Sequence, residues 1–376
     1  MIPEKTHAAE GTGADDALPE VSVIIPTYNR LWCLPRAVGS CRGTRCRTEI
    51  IVVDDGSTDG TWEWLQAQPD VRALRQPNAG QTYAINRGTA AARAPYVRFL
   101  DSDDALVADM IDRQLAAARA AGATLVYSRV DRIDLESGVV MRNPDLAVWD
   151  DFVAAQLGEG DGGHFLGMLF HRSLVESVPR RPDFALREDR MFLLEVALLG
   201  PRTEHVPGCA GYWSRHADQM HDTYRGTKEV VANWQHVTIY RRILGELERR
   251  GELTPRRRRA AAGVLVRLAH DIARTDRVEA RQLWDWAVSL DPGAADRVGS
   301  LAPLYRALGF ANTERLLAAR RSLLRPLAAL RTPSGGRTAG RRPPAVVPLP
   351  PGPLATGNEA RGENEAAYGD PPARRA

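Results

Sequence analysis

Three short runs of apolar, largely β-branched residues each stop at a polar or acidic cluster, and this limits the fold more than any other feature of the chain. Val21-Ser22-Val23-Ile24-Ile25-Pro26 stops at Thr27-Tyr28-Asn29-Arg30. Glu49-Ile50-Ile51-Val52-Val53 stops at Asp54-Asp55-Gly56-Ser57. Tyr96-Val97-Arg98-Phe99-Leu100 stops at Asp101-Ser102-Asp103-Asp104. Runs of that length suit strands buried in a sheet. Further strands are expected at Val71–Leu74 and Thr124–Ser128. Helices are expected over 31–40, from Thr61, over 80–94 and over 110–121. Strands alternating with helices at this spacing predict an α/β fold with a mostly parallel twisted sheet and right-handed crossovers. In such sheets ligands bind outside the carboxyl ends of the strands, where the polar clusters fall.

Beyond residue 140 the pattern loosens. A strand and a short helix are expected within 165–178, a helix over 189–199, and long Ala/Leu/Arg helices over 227–330. The expected organisation is a flexible leader (1–19), an α/β domain (20–225), a helical region (226–331) and a disordered Pro/Gly-rich tail (332–376). The α/β domain is expected to divide into a regular half (20–130) and a looser half (131–225).

Lys and Arg number 50 against 47 Asp and Glu, a net charge of +3, which argues against a dedicated nucleic-acid binder. The four cysteines (Cys33, Cys41, Cys46, Cys209) form no CxxC pair and are expected as free thiols. The N-terminus lacks an apolar signal core, and no apolar run approaches the length of a membrane span. A cytoplasmic protein is expected. Leu301–Arg331 mixes leucines with Arg306, Arg315, Arg320, Arg321 and Arg325. Such a helix most often packs on its own domain, although it also suits peripheral contact with an anionic membrane.

The acids at the strand ends need a partner, because like charges packed together are costly unless a cation or donors neutralise them. Asp101 and Asp103, one residue apart, suit a divalent cation: Mg²⁺ and Mn²⁺ bind through one or two carboxylates plus substrate phosphates. Asp104 is as well suited to capping the following helix. Neither G-x-G-x-x-G nor G-x-x-x-x-G-K-[ST] nor G-x-S-x-G occurs, which removes dinucleotide-binding, P-loop and nucleophile-elbow classes.

VSVIIPTYNR, EIIVVDDGSTDGT, QPNAGQTYAINRG and YVRFLDSDD, in that order, resemble the nucleotide-binding half of family 2 glycosyltransferases, which have the GT-A fold. The resemblance is strong over about 20–130 and looser to about 216. It implies a nucleotide-sugar donor, a divalent cation and inversion at the anomeric carbon. It places Pro26, Thr27 and Tyr28 beside base and ribose, Asp55 on uracil, and Asn78, Gly80 and Asn86 along the nucleotide. Asp101 and Ser102 fall in the donor site, and Asp103 is the better metal ligand of the D-x-D pair. The family's downstream acidic pair matches Glu188-Asp189, with Asp189 as general base and Glu188 orienting acceptor or base. Arg215 and His216 match a segment near the diphosphate, Arg215 neutralising leaving-group charge and His216 contributing to metal or phosphate; His221 belongs to the same segment. His164 is a loop histidine that is a lesser candidate for the acceptor pocket. The acceptor hydroxyl, on a glycan, a lipid-linked glycan or a metabolite, is left open. A sugar-phosphate nucleotidyltransferase and a non-catalytic nucleotide-sugar-binding protein are the alternatives.

Overall fold

The computed structural model describes residues 18–217 and 226–329, with the backbone alone over 322–329. Most of the leader, His221 and Arg325, and the tail from 332 lie outside the described residues or side chains. Among the described residues nine strands form one sheet: β1 (Val21–Thr27), β2 (Thr48–Asp54), β3 (Val71–Arg75), β4 (Tyr96–Phe99), β5 (Ala105–Leu106), β6 (Leu125–Asp134), β7 (Val140–Met141), β8 (Met168–His171) and β9 (Thr203–Arg215). Their order is β3-β2-β1-β4-β8-β6-β9-β5, with β7 on β6. Strands β3, β2, β1 and β4 are parallel. The sheet is mixed beyond β4, where β8 runs antiparallel to both β4 and β6, and β9 runs parallel to β6.

Register brings the polar clusters to one rim. Thr27 stands opposite Asp54, and Ile24 opposite Phe99, with the Leu100 amide donating to the Ile24 carbonyl at 3.0 Å. Three chain segments therefore leave the sheet side by side. Just past the acid cluster, β5 pairs with β9, placing Ala105 opposite Tyr212. That pairing draws the end of β9 toward the same rim.

The expected α/β alternation holds, with shifts that have local causes. The first helix, α1 (Leu34–Ser40), begins three residues late, after a turn. Helices α2 (Thr61–Gln66), α3 (Gln81–Ala91) and α4 (Ala108–Ala121) follow their strands as expected. Strand β9 was not foreseen, because Pro207, Gly208 and Gly211 interrupt its alternation and its pairing with β6 carries register shifts.

Side chains of β1 alternate between two cores. Ile24 joins Ile51, Val53, Val97 and Phe99 on one face. Val21, Val23 and Ile25 pack with α1 and α4 on the other. Gly88 of α3 lies directly on β1, where a Cβ would come within 2.4 Å of Ile24 Cγ2. The first core continues through α5 (Phe152–Gln156), α6 (Arg172–Ser177) and α7 (Glu188–Leu198). It then extends into α8 (Thr227–Arg249), α9 (Pro255–Ile272), α10 (Arg277–Leu290) and the start of α11 (Ala302–Ala329), so the helical region shares the core of the sheet. No helix among the described residues is long and apolar enough to cross a membrane. The four cysteines are free, and burial pushes the Cys33 and Cys41 thiols up to about 12.

One charged group sits inside the second core. Arg98 of β4 is fully buried, and its guanidinium donates to Gln114 Oε1 on α4, to the Leu166 carbonyl at 2.8 Å and to the Ala210 carbonyl at 3.1 Å. It thereby staples the parallel strands to β9 and the segment before β8. Arg98→Ala leaves those acceptors unpaired beside a cavity and is expected to cost about 3–5 kcal/mol, measured by urea denaturation.

Candidate active site

The first two strand ends are tied together by short polar side chains. Asn29, in a left-handed conformation (φ 51), donates its backbone N–H to Ser57 Oγ at 2.8 Å and accepts from the Thr58 amide at 2.8 Å. Asp54 and Asp55 divide the work. Asp54 is fully buried, accepts from the Ser57 amide at 2.9 Å and pairs with Arg75 at 3.3 Å. Asp55 lines the cleft. Its Oδ1 accepts from Gln76 Nε2 at 2.8 Å and the Ala79 amide at 2.9 Å, and its Oδ2 from the Gly80 amide at 2.8 Å. A carboxylate offers about four lone-pair sites, so one site on Oδ2 is left for an incoming N–H.

The third strand end gathers three acids. Asp101, Asp103 and Asp104 each offer a carboxylate oxygen, all within 4.8 Å of one another. Gln81 Nε2 donates to Asp101 Oδ1 at 2.9 Å, and His216 Nε2 lies 3.0 Å from Asp103 Oδ2. Arg36 of α1 donates to the Asp103 carbonyl and, at 2.6 Å, to Ser214 Oγ, which fixes the loop to β9. Asp104 does not cap the next helix. It is buried, and α4 starts only at Ala108, after β5. Its Oδ1 accepts from the Ser214 amide at 2.7 Å, while its Oδ2 is buried with no partner among the described residues.

Electrostatics differ within this cluster. Burial, then the charges of Asp103 and Glu188, push Asp101 up to about 8. Burial, then the charges of Asp103 and Asp101, push Asp104 well above the ordinary carboxyl range. For Asp103 burial acts upward, but the His216 hydrogen bond and the Arg30 charge outweigh it and hold the carboxyl low. Crowded carboxylates beside an imidazole, one of them with an orphaned buried oxygen, fit a hard divalent cation.

The opposite wall comes from α7 and the segment before it. Glu188 and Asp189 form the first turn of α7, where the helix dipole favours acids. The Glu188 carboxylate pairs with Arg180 at 2.8 Å. Asp189 lines the cleft, and its Oδ1 accepts from the Arg190 amide at 2.7 Å.

The cleft between these walls measures about 540 Å³. It brings together Pro26, Thr27, Tyr28, Asp55, Asn78, Gly80, Asp101, Ser102, Asp103, Glu188 and Asp189, all expected from sequence, and His164 as well. Three expected residues do not line it. Asn86 turns away, its amide bonded to the Arg180 backbone at 2.9 and 2.8 Å. Arg215 is exposed at the end of β9, opposite Asp134. His216 stands behind Asp103 and reaches the cleft only through it. Sequence reasoning missed the lining residues Gln81, Tyr83, Phe165 and Leu186. Gln81 and Tyr83 lie one and three residues beyond Gly80, within the quoted QPNAGQTYAINRG segment. Phe165 and Leu186 come from the irregular stretch, where no pattern marks them.

A parallel strand set with an acid cluster and an opposed acidic pair defines a GT-A type architecture. Residues 22–174 match the family model described as Glycosyl transferase family 2. The chain is 31% identical over 216 residues to the succinoglycan biosynthesis protein ExoO of Rhizobium meliloti (strain 1021), covering 53% of this chain and 61% of that protein. It is also 31% identical over 172 residues to an uncharacterized glycosyltransferase, alr2836, of Nostoc sp., covering 42% of this chain and 53% of that protein. The chain thus spans about half to three fifths of the length of these relatives. The crystal structure of S. aureus TarS 1-349 in complex with UDP-GlcNAc superposes with a TM-score of 0.55 at 18% identity, covering 81% of this chain and 92% of that one, a likeness of fold.

Gly56 is where the site depends most on a missing side chain. Its φ is +83°, and a Cβ would lie 2.9 Å from the Asn78 amide nitrogen. Gly43 shares that φ but has nothing within 4 Å. Both alanine variants therefore carry the backbone strain, about 1–3 kcal/mol, and Gly56→Ala adds the clash. Gly56→Ala is expected to melt well below Gly43→Ala in a thermal denaturation comparison.

Proposed function

We propose that the protein transfers a sugar from a UDP-sugar to an acceptor hydroxyl, in a single displacement that inverts the anomeric carbon. One observation carries this reading: a single cleft holds Asp55 with a vacant acceptor site, the Asp101–Asp104 cluster and, facing that cluster, Asp189. Asp55 Oδ2 accepts the N–H of the uracil ring, and Tyr28, about half exposed at the rim, lies beside base and ribose. The fold relatives solved with UDP-GlcNAc and with UDP support a uridine donor. The relative named for succinoglycan biosynthesis supports a glycan as the acceptor class.

In this reading Asp103 and Asp101 would hold Mn²⁺ or Mg²⁺, with His216 supporting Asp103 from behind, and the ion would supply Lewis-acid stabilisation of the negative charge on the departing diphosphate. Asp189 accepts the proton of the acceptor hydroxyl as that oxygen bonds to the anomeric carbon. The bond from that carbon to the phosphate oxygen breaks in the same step, and UDP leaves with the electron pair. Glu188, tied to Arg180, orients the base. The apolar wall of Phe165 and Leu186 limits water at the reacting carbon.

Thermal-shift measurements with a panel of nucleotide sugars, with and without Mn²⁺, test donor class and metal together. A UDP-sugar is expected to raise the melting temperature more when Mn²⁺ is present, and Asp103→Ala to erase that increment. A shift independent of metal in the wild type sinks the metal assignment. Asp189→Asn is expected to lower sugar transfer by about 10²–10⁴-fold while keeping the UDP-induced shift. Transfer at the wild-type rate removes Asp189 from the role of base.

A further inference from the structure

Arg180 belongs to none of the motifs above, yet it touches Glu188 and residues of four segments that border the site. Its side chain is 2% exposed, and Nη1 donates to Glu188 Oε2 at 2.8 Å. The guanidinium carbon lies 3.9 Å from the centroid of the Phe192 ring, 4.8 Å from that of Phe99 and 5.4 Å from that of Phe165. Its Nε and Nη2 have no acceptor among the described residues. The Asn86 side chain holds its backbone at both N–H and carbonyl.

Each contact leads to a different working part. Phe99 ends β4 two residues before Asp101. Phe165 lines the cleft. Phe192 lies on α7, one turn from Glu188 and Asp189. Asn86 is on α3, whose first turn carries Gln81, the partner of Asp101. A buried cation with one carboxylate partner is a poor stabiliser, and an apolar side chain of similar volume often serves a core better. Rings facing a desolvated guanidinium offset only part of that cost. The arrangement suits a geometric task more than a stabilising one.

We propose that Arg180 is a positioning residue, which clamps Glu188 and so sets the first turn of α7, with Asp189, against the acid cluster at the end of β4. The proposal deepens the transfer reading and rests on it. Arg180 touches neither donor nor acceptor; it acts through Glu188. Misplacing a reacting group by about 1 Å can cost about 10²-fold in rate. The loss should therefore fall on kcat, while the donor-binding loops, which Arg180 does not contact, keep their affinity.

The test is a double-mutant cycle on the full chain, with UDP-sugar turnover as the assay and the UDP-plus-Mn²⁺ thermal shift as the check on folding and donor binding. Arg180→Gln is expected to lower kcat about 10²-fold with the donor KM changed less than about threefold. Arg180→Lys keeps the charge and recovers part of the loss. The double variant Arg180→Gln/Glu188→Gln is expected to be no slower than the slower single variant, since both remove one interaction. Multiplying losses, an unchanged kcat in Arg180→Gln, or a loss confined to donor KM each overturn the proposal. Should Arg180→Gln fail to fold, the same cycle with Arg180→Lys decides by the same criterion. A wild-type chain that shows the UDP shift but turns over no UDP-sugar overturns the transfer reading and this one with it. Normal wild-type turnover with an indifferent Arg180→Gln overturns this one alone.

Discussion

The structure is organised around the repulsion between like charges at the rim of the sheet. Asp101, Asp103, Glu188 and Asp189 border one cleft with Asp104 packed beside Asp103, and burial strengthens every interaction among them. Such a set persists only where other parts of the chain hold it. Parallel pairing of β1 with β2 and β4 fixes where the acids emerge. Arg36 holds the backbone of the cluster from α1, His216 holds Asp103 from β9, and Arg180 holds Glu188 from beneath α7. These three cationic or proton-bearing groups come from three different elements. The mixed half of the sheet therefore does more than cover an edge, since β9 leads directly into His216, the partner of Asp103.

The compensation is uneven. Asp103 has a direct partner and stays low, whereas Asp101 and Asp104 are driven up by burial and by their neighbours. Within the chain alone, full ionisation of the cluster would bring more negative charge than its partners neutralise, which is why two of its carboxyls are driven up. That imbalance distinguishes it from a structural ion-pair network such as Arg256 with Asp150 and Glu159, where each acid meets a guanidinium in solvent. A surplus of oxygen donors in a desolvated cleft is the electrostatic condition for taking up a cation with a phosphate-bearing ligand.

Much of this was legible in the chain. Strand ends that stop at acids could be placed on one rim because parallel strands all point the same way, and the acidic pair at 188–189 stood out against the apolar helix that follows. Arg98 and Arg180 were not legible. In an arginine-rich chain a single Arg beside apolar residues looks like a solvated one, and only packing shows that both are enclosed. Asn86 was recognisable as a motif member, yet its amide is spent on the Arg180 backbone. The position was visible and its physical job was not. Strand β9 escaped because Pro207, Gly208 and Gly211 break its alternation, although its pairing with β5 and β6 sets the depth at which His216 stands.

Three doublets of adjacent acids show how one motif can be both scaffold and site. Asp54 is consumed by the Ser57 amide and Arg75, while Asp55 faces the cleft. Asp104 is anchored through its Oδ1 to the Ser214 amide, while Asp103 faces the cleft. Glu188 edges the cleft with its carboxylate tied to Arg180, while Asp189 is left to the cleft. Successive side chains leave a strand end or a first helical turn in different directions, so a doublet sends one carboxylate inward and one outward. The inward acid meets donors that anchor the backbone, and that anchor holds its neighbour still without taking up the neighbour's own lone pairs. A single acid would have to choose between being fixed and being available. The doublet removes the choice, which explains why the three places where this cleft needs a rigid but unsaturated carboxylate each carry two acids in a row.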